Sequence, residues 1–353
     1  VNQQRAQALA GVVSCLFGTR SPIVIPKTLI DPYKRHLSYL RISITDRCNL
    51  RCIYCMPREM IPKLEHADVL RYEEILRVAK VAAGLGITKL RVTGGEPLVR
   101  RDVCDLLTQL NRTPGIREVS LTTNGVLLTE RLDDLLAAGV RRINVSLDSL
   151  KPERFAAITR VDCFQKVWDG IMAALDRGMA PVKINVVALR GINDDELPDL
   201  AALSLRYPVH VRFIEQMPIG EAAMRPVQPL LTPEIKTLLA PLGRLEPVPA
   251  TANDGPAERH RIPGAPGEIG FISALSHHFC DRCNRLRLTA SGGLRPCLLS
   301  DHEEDMRTPL RQGASDVELA QVFLSAVRHK PARHHLAEPR HEEIASAMSG
   351  IGG

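Results

Sequence analysis

A chain of 353 residues with 44% hydrophobic side chains can bury a substantial core, as one large domain or a domain with an appendage, which excludes wholesale disorder. No stretch reaches the roughly eighteen consecutive apolar residues of a membrane span. A net charge of +6 with a pI near 8.9 suits an anionic small substrate as well as nucleic acid, but aromatics at 4% leave little surface for stacking bases.

The first thirty residues hold one apolar patch, AGVVSCLFG, with Arg5 as the one cation before it; this is a poor export signal and reads as a loosely ordered extension. Residues 31–225 then carry a regular alternation. A β-branched run (Leu40, Ile42, Ile44) leads into Cys48, Cys52 and Cys55. A helix is predicted over Tyr72–Gly84, with Ile75, Val78, Ala79 and Ala82 on one face, followed by a strand over Lys89–Thr93 that ends in Gly94-Gly95-Glu96. The pattern continues with a helix over Asp102–Leu110, a strand over Val119–Thr122, a helix over Glu130–Ala138 and a strand over Ile143–Leu147. Helices over Phe164–Arg177 and Asp194–Leu205 alternate with strands over Val182–Leu189 and Val209–Glu215. Six strand–helix units of about thirty residues predict parallel strands with right-handed crossovers, in a complete or partial β/α barrel or an open doubly wound sheet.

Residues 226–353 differ in character. Proline and glycine are frequent from Pro226 to Gly270, which reads as loop or linker; a strand follows at Glu268–Ser273, then Cys280, Cys283 and Cys297. A hairpin is expected around Ala290-Ser-Gly-Gly293 and a last helix over Asp316–Arg328. His334 and His335 read as surface residues.

Six of the nine cysteines fall in two tight groups, and in a long chain without an export signal this points to metal rather than disulfides, hence to a reducing cytoplasm. Cys15 and Cys163 stand apart, and Cys104 falls in an apolar helical pattern as a small core residue. Three thiolates within Cys48–Cys55, with no local fourth ligand, favour an iron–sulfur cluster with one open iron over zinc. At Cys280, Cys283 and Cys297 both remain open, since His277, His278 or His302 would complete a Cys3His zinc site. The polar clusters at the strand ends (the cysteine loop, Gly94-Gly95-Glu96, Thr122–Gly125, Ser146–Asp148, Glu215–Met217) lie where parallel α/β folds place their active sites. Glu96 reads as an exposed acceptor there. Arg41, Arg91 and Lys183 sit in predicted strands; Lys183 within Val182–Leu189 needs a partner, because a charge in an apolar parallel strand is costly. Arg285 and Arg287 share a face at period two.

The spacing C-x3-C-x2-C with Tyr54 before the last cysteine, followed by Gly94-Gly95-Glu96-Pro97, resembles the radical S-adenosylmethionine superfamily. Within it, Phe279–Thr289, Leu294–Cys297, Arg212-Phe-Ile-Glu215, Met217-Pro-Ile-Gly220 and the closing Ile351-Gly-Gly353 resemble the molybdenum cofactor biosynthesis A family of GTP cyclases. The match runs from Leu40 to Gly353; residues 1–30 lie outside it, and Gln216 stands where the family often has an aromatic. The resemblance implies a partial six-stranded (β/α) barrel closed by a C-terminal segment. It implies two [4Fe-4S] clusters, on Cys48, Cys52 and Cys55 and on Cys280, Cys283 and Cys297, the second contacting guanine. It places S-adenosylmethionine on Tyr54, Gly95, Ser146 and Met217, and GTP on Arg41, Arg91, Thr122, Lys183 and Arg285-Leu286-Arg287. Catalytic roles fall to Arg285, Arg287 and the tail glycines Gly352 and Gly353.

The reaction so implied is radical cyclisation of GTP to 3′,8-cyclo-7,8-dihydro-GTP, the first step towards molybdopterin. It calls for an electron donor and a next pathway enzyme as partners, and is compatible with a homodimer. Two readings stand against it: a peptide-modifying radical enzyme, which would need no triphosphate cations, and a zinc-stabilised nucleic-acid-binding protein, which would concentrate its basic charge on one face.

Overall fold

The computed structural model describes residues 25–57, 63–219, 228–249, 255–334, 344 and 348–352, and its organising element is one twelve-stranded sheet. Six parallel strands form the middle: β1 (Tyr39–Ser43), β2 (Lys89–Thr93), β3 (Glu118–Thr123), β4 (Ile143–Ser146), β5 (Val182–Ala188) and β6 (Val209–Glu215). Their spatial order equals their chain order, as expected when successive crossovers share one hand. The remaining strands, β7 (Glu246–Pro247), β8 (Glu258–Arg261), β9 (Glu268–Ile272), β10 (Arg285–Leu288), β11 (Gly293–Arg295) and β12 (Glu304–Asp305), extend both edges. β9 adds in parallel beside β6, and β10 adds in parallel beside β1, so the C-terminal segment covers both open edges of the six-stranded unit.

The crossover helices follow the predicted pattern with small shifts: α1 (Tyr72–Gly84), α2 (Val103–Asn111), α3 (Leu128–Ala137), α4 (Pro152–Thr159), α5 (Phe164–Asp176) and α6 (Leu197–Arg206). In α1 the expected stripe Ile75, Val78, Ala79 and Ala82 is fully buried. The helix is opened by Glu74, whose carboxylate accepts the Arg71 backbone N–H at 2.7 Å. α4 escaped the sequence reading because its eight residues bury only Phe155, Ile158 and Thr159, too short a stripe to show a period. The segment read as linker after Pro226 holds a further helix, α7 (Thr232–Leu239), and β8. Pro233 lies in the first turn of α7, where a missing N–H costs nothing, and only Ile235 and Leu239 form its apolar contact.

Among residues 25–30, Leu29–Ile30 pairs antiparallel with His36–Leu37 and Leu29 is fully buried, so the folded body starts before residue 31; residues 1–24, including Cys15, lie outside the described residues. α8 (Arg307–Arg311) and α9 (Asp316–Arg328) follow β12, and α9 packs on α1. The chain closes with α10 (Met348–Ile351), whose Ile351 meets Ile219 and Ile344 in a small apolar cluster of its own. Among the described residues, no helix is long and apolar enough to cross a membrane.

Candidate active site

Strand register decides what lines the sheet. Arg287 of β10, Arg41 of β1, Arg91 of β2 and Ser120 of β3 are successive partners in one row across four strands. Adjacent strands lie about 4.8 Å apart, so three guanidinium groups face one another closely. Burial, and after it the neighbouring guanidinium charges, lower the pKa of both Arg41 and Arg287. The neighbouring row runs Arg285, Tyr39, Lys89 and Glu118, with Lys89 bonded to Glu118 at 2.9 Å. Lys89 and Arg91 both lie over the Tyr39 ring. Lys183 is buried and its pKa is driven down to about 6, first by loss of water and then by Arg212, Arg91, Arg142 and Lys89. A site this cationic is built for a polyanion.

Two adjoining cavities open at the carboxyl ends of the strands. One holds Cys280, Cys283 and Cys297 together with Arg41, Arg91, Arg212, Arg285 and Arg287, and has about 1130 Å³ of free space, partly continuous with solvent. The other holds Cys48, Cys52 and Cys55 with Tyr54, Gly95, Thr122, Ser146 and Asp148. Asn185, Ile214, Met217 and Met348 line both, so the two cysteine groups face a shared partition.

Each half is built from local chemistry. Cys48 and Cys52 sit on the loop after β1, which is held against β2 by Gly95 N–H donating to the Thr45 carbonyl at 2.7 Å and Glu96 N–H to the Arg47 carbonyl at 2.8 Å. A side chain at Gly94, whose φ is +155°, would put Cβ 2.6 Å from the Thr45 carbonyl oxygen, so the close approach requires glycine. Tyr54 donates to Asp148 at 2.7 Å, and Asp148 also accepts the Val187 N–H at 2.8 Å. Burial nonetheless pushes the Asp148 carboxyl up to about 6. Glu96 is not the exposed acceptor its position predicted. It is 1% exposed, accepts Leu98 N–H, Thr123 Oγ1–H and Asn124 N–H, and burial pushes its pKa up to about 7 against those bonds. Its carboxylate therefore fastens the loops after β2 and β3. Glu215 likewise is buried and accepts backbone N–H groups of Thr232, Leu275 and Ser276, fixing the loop beyond β9.

The thiols respond differently in the two groups. Removal from water raises Cys48 and Cys52, and takes Cys55 up to about 12 with help from Cys48. For Cys283 the same removal is overcome by Arg285 and Lys330, which bring it down to about 6. The cysteines described form no disulfides. A single zinc ion, with Zn–S near 2.3 Å, draws its sulfurs to roughly 3.8 Å of one another. Among the described residues, His302, Glu304 and His329 bring three ligand atoms within 4.8 Å of one another. Each triplet of free thiols lines a cavity, and thiolates are the donors that iron–sulfur clusters take. Two further polar atoms await a guest: Thr122 Oγ1 and Asn185 Oδ1 are buried without a hydrogen-bond partner.

Most residues singled out in the sequence converge here, with qualifications. Thr122 lines the cavity of the first cysteine group rather than the cationic one, Leu286 is wholly in the core, and neither Leu286 nor Lys183 lines either cavity. Gly352 is buried at φ +83°, and its carbonyl accepts from Arg287 Nη1 at 2.7 Å; Gly353 lies outside the described residues. Of the histidines weighed as a fourth ligand, His302 bonds Glu304 at 3.0 Å instead. His334, read as surface, is buried with Nε2 2.9 Å from the Ala274 carbonyl oxygen. Cys104 is half-buried against the core rather than within it. Asn185, Arg212 and Asn144 were missed as site residues. Lys183 and Asn185 are the two polar residues of β5 and share a face at period two, a signal that would have found Asn185.

Residues 42–203 match the Radical SAM superfamily model, and residues 209–336 match Molybdenum Cofactor Synthesis C. The chain is 51% identical over 327 residues to the GTP 3′,8-cyclase of Heliobacterium modesticaldum, covering 92% of this chain and 100% of the relative. It is also 51% identical to the GTP 3′,8-cyclase of Moorella thermoacetica, covering 92% and 99%. Among solved structures, Streptococcus suis SuiB bound to S-adenosylmethionine aligns with a TM-score of 0.58 at 13% identity over 83% of this chain and 69% of that one, a likeness of fold. With half its residues shared over the full length of these relatives, the chain belongs to the GTP 3′,8-cyclase family of the radical SAM superfamily.

Proposed function

We propose that this chain cyclises GTP to 3′,8-cyclo-7,8-dihydro-GTP, the first step of molybdenum cofactor biosynthesis, using S-adenosylmethionine and two [4Fe-4S] clusters. The observation that carries the reading is the shared partition: two three-cysteine groups face adjoining cavities, and the cations for a triphosphate crowd one of them. Cys48, Cys52 and Cys55 would hold the first cluster and Cys280, Cys283 and Cys297 the second. When bound, the first cluster supplies the electron that cleaves S-adenosylmethionine to the radical which takes hydrogen from the GTP ribose.

The protein's own part is binding, orientation and exclusion. Tyr54, Gly95, Ser146 and Met217 would seat S-adenosylmethionine, with Tyr54 fixed by its bond to Asp148. Arg41, Arg91, Arg285 and Arg287 would take the triphosphate, since guanidinium forks bind phosphate oxygens in pairs. Lys183 regains its charge when that polyanion arrives, and Thr122 Oγ1 and Asn185 Oδ1 offer polar contacts where the two ligands meet. Gly352, held by Arg287, brings the tail to the ends of β1 and β2. An external electron donor and a next pathway enzyme complete the scheme. A reducing, cytoplasmic setting suits its thiols, and a homodimer is compatible with it.

The test is anaerobic reconstitution of the full-length protein, metal analysis, and turnover with GTP, S-adenosylmethionine and reductant. Two clusters' worth of iron and a cyclised nucleotide are expected. Replacing Cys48, Cys52 and Cys55 by Ala should halve the iron and stop S-adenosylmethionine cleavage. Stoichiometric zinc in place of iron at Cys280, Cys283 and Cys297 would overturn the two-cluster reading.

A further inference from the structure

The second cysteine group is gripped by a five-residue strap, Lys330–His334, that follows α9. Lys330 is 3% exposed, and its ammonium is fully engaged: it donates to the Pro296 carbonyl at 2.6 Å, the Arg285 carbonyl at 2.9 Å and Cys283 Sγ at 3.5 Å. One nitrogen thus ties the residue before Cys297 to the segment holding Cys283. The next residues reach Cys280. Arg35 donates to the carbonyls of Cys280 at 2.6 Å, Pro331 at 2.6 Å and Ala332 at 3.0 Å, so strap and cysteine share one guanidinium.

The charge balance around Lys330 is unusual. Arg35 is paired with the Asp31 carboxylate, whereas the acceptors of Lys330 are two carbonyls and the sulfur of Cys283. Burial first works against its charge and lowers its pKa, Cys283 and then Cys297 favour the charge, and Arg285 and Arg35 oppose it. A buried ammonium is costly without a nearby negative charge. A cluster carried on three thiolates is anionic and becomes more so on reduction, and cluster potentials follow net charge and hydrogen bonds to sulfur.

Resting on the reading that Cys280, Cys283 and Cys297 hold an iron–sulfur cluster, we propose that Lys330 is its positioning and charge-compensating residue, joining its two segments and raising its reduction potential. All three donor bonds run to this chain's own Cys283, Arg285 and Pro296.

The test uses full-length protein in which Cys48, Cys52 and Cys55 are Ala, so that one cluster remains to be titrated. Anaerobic potentiometry followed by electron paramagnetic resonance is run on this parent and on added Lys330→Gln and Lys330→Arg. Gln can donate to the carbonyls but carries no charge. At the potential where the parent is half reduced, Lys330→Gln should retain its iron while its reduced-to-oxidised ratio falls about tenfold, a shift of about 59 mV for one electron. Lys330→Arg should stay near the parent. Iron lost in Lys330→Gln but kept in Lys330→Arg would also support the role, as retention by charge. An unchanged midpoint in Lys330→Gln with full iron overturns the inference alone, as does equal loss of iron in both variants. A parent with no redox-active cluster overturns the cluster reading and this inference with it.

Discussion

Replacing Gly352 by Ala tests whether the docked tail is part of the active site. Gly352 has φ +83°, and a Cβ there would lie 2.6 Å from Thr93 Cγ2 and 3.1 Å from Ser43 Cβ. An L-residue in the left-handed region costs about 1–2 kcal/mol, and overpacking a tight contact costs about 1–3 kcal/mol. The sum, roughly 2–5 kcal/mol, falls on the docking of a short terminal segment and not on the core. At 1.4 kcal/mol per tenfold, the docked population drops by about 30-fold or more. Thr93 can turn its methyl away, so the lower figure is the firmer expectation; the Ser43 backbone cannot yield as easily. Gly350 provides the control, since a Cβ there meets nothing within 4 Å. Anaerobic turnover should be scored for 5′-deoxyadenosine and cyclised nucleotide separately. Gly352→Ala should lose at least tenfold in cyclised nucleotide, with folding and iron content unchanged, and Gly350→Ala should match the parent. Parental yields from Gly352→Ala, or equal damage from Gly350→Ala, would refute the argument. Deleting Gly352 and Gly353 together should act like Gly352→Ala.

With Lys183 as a contact of the triphosphate, GTP binding should be pH-dependent: with its pKa near 6 in the empty site, it is mostly neutral at pH 8, and a bound triphosphate would recharge it. Binding at pH 8 should therefore take up about one proton, read by calorimetry in buffers of different ionisation heat, and affinity should fall as pH rises above 6. Lys183→Met should abolish the uptake, and equal heats in all buffers for the parent would contradict the assignment. Arg285→Ala and Arg287→Ala should each weaken GTP binding, by on the order of 2–5 kcal/mol if the pair with phosphate is desolvated. S-adenosylmethionine binding should be spared in both. Arg287→Ala should in addition free the tail, detected as faster proteolysis of the C-terminus, because it removes the bond to the Gly352 carbonyl.

What the sequence determined by itself was whatever is local. The spacing of Cys48, Cys52 and Cys55 brings three thiols to one loop whatever surrounds it, and a repeating strand–helix period dictates parallel strands, so the first cysteine loop and the six central strands were legible. Short elements with two or three buried residues, α4 and α7, leave no period to read and were passed over. Glu96 and His334 were misjudged because polarity predicts exposure only where no backbone N–H or carbonyl needs a partner. The tertiary structure alone decided the rest, since it depends on register and on contacts between distant segments. Arg41, Arg91 and Arg287 become one cationic row only when β10, separated from β1 by some two hundred and forty residues, adds in parallel beside it. Lys330 and Arg35 meet the same cysteine group from opposite ends of the chain, through backbone carbonyls that carry no signature in any sequence.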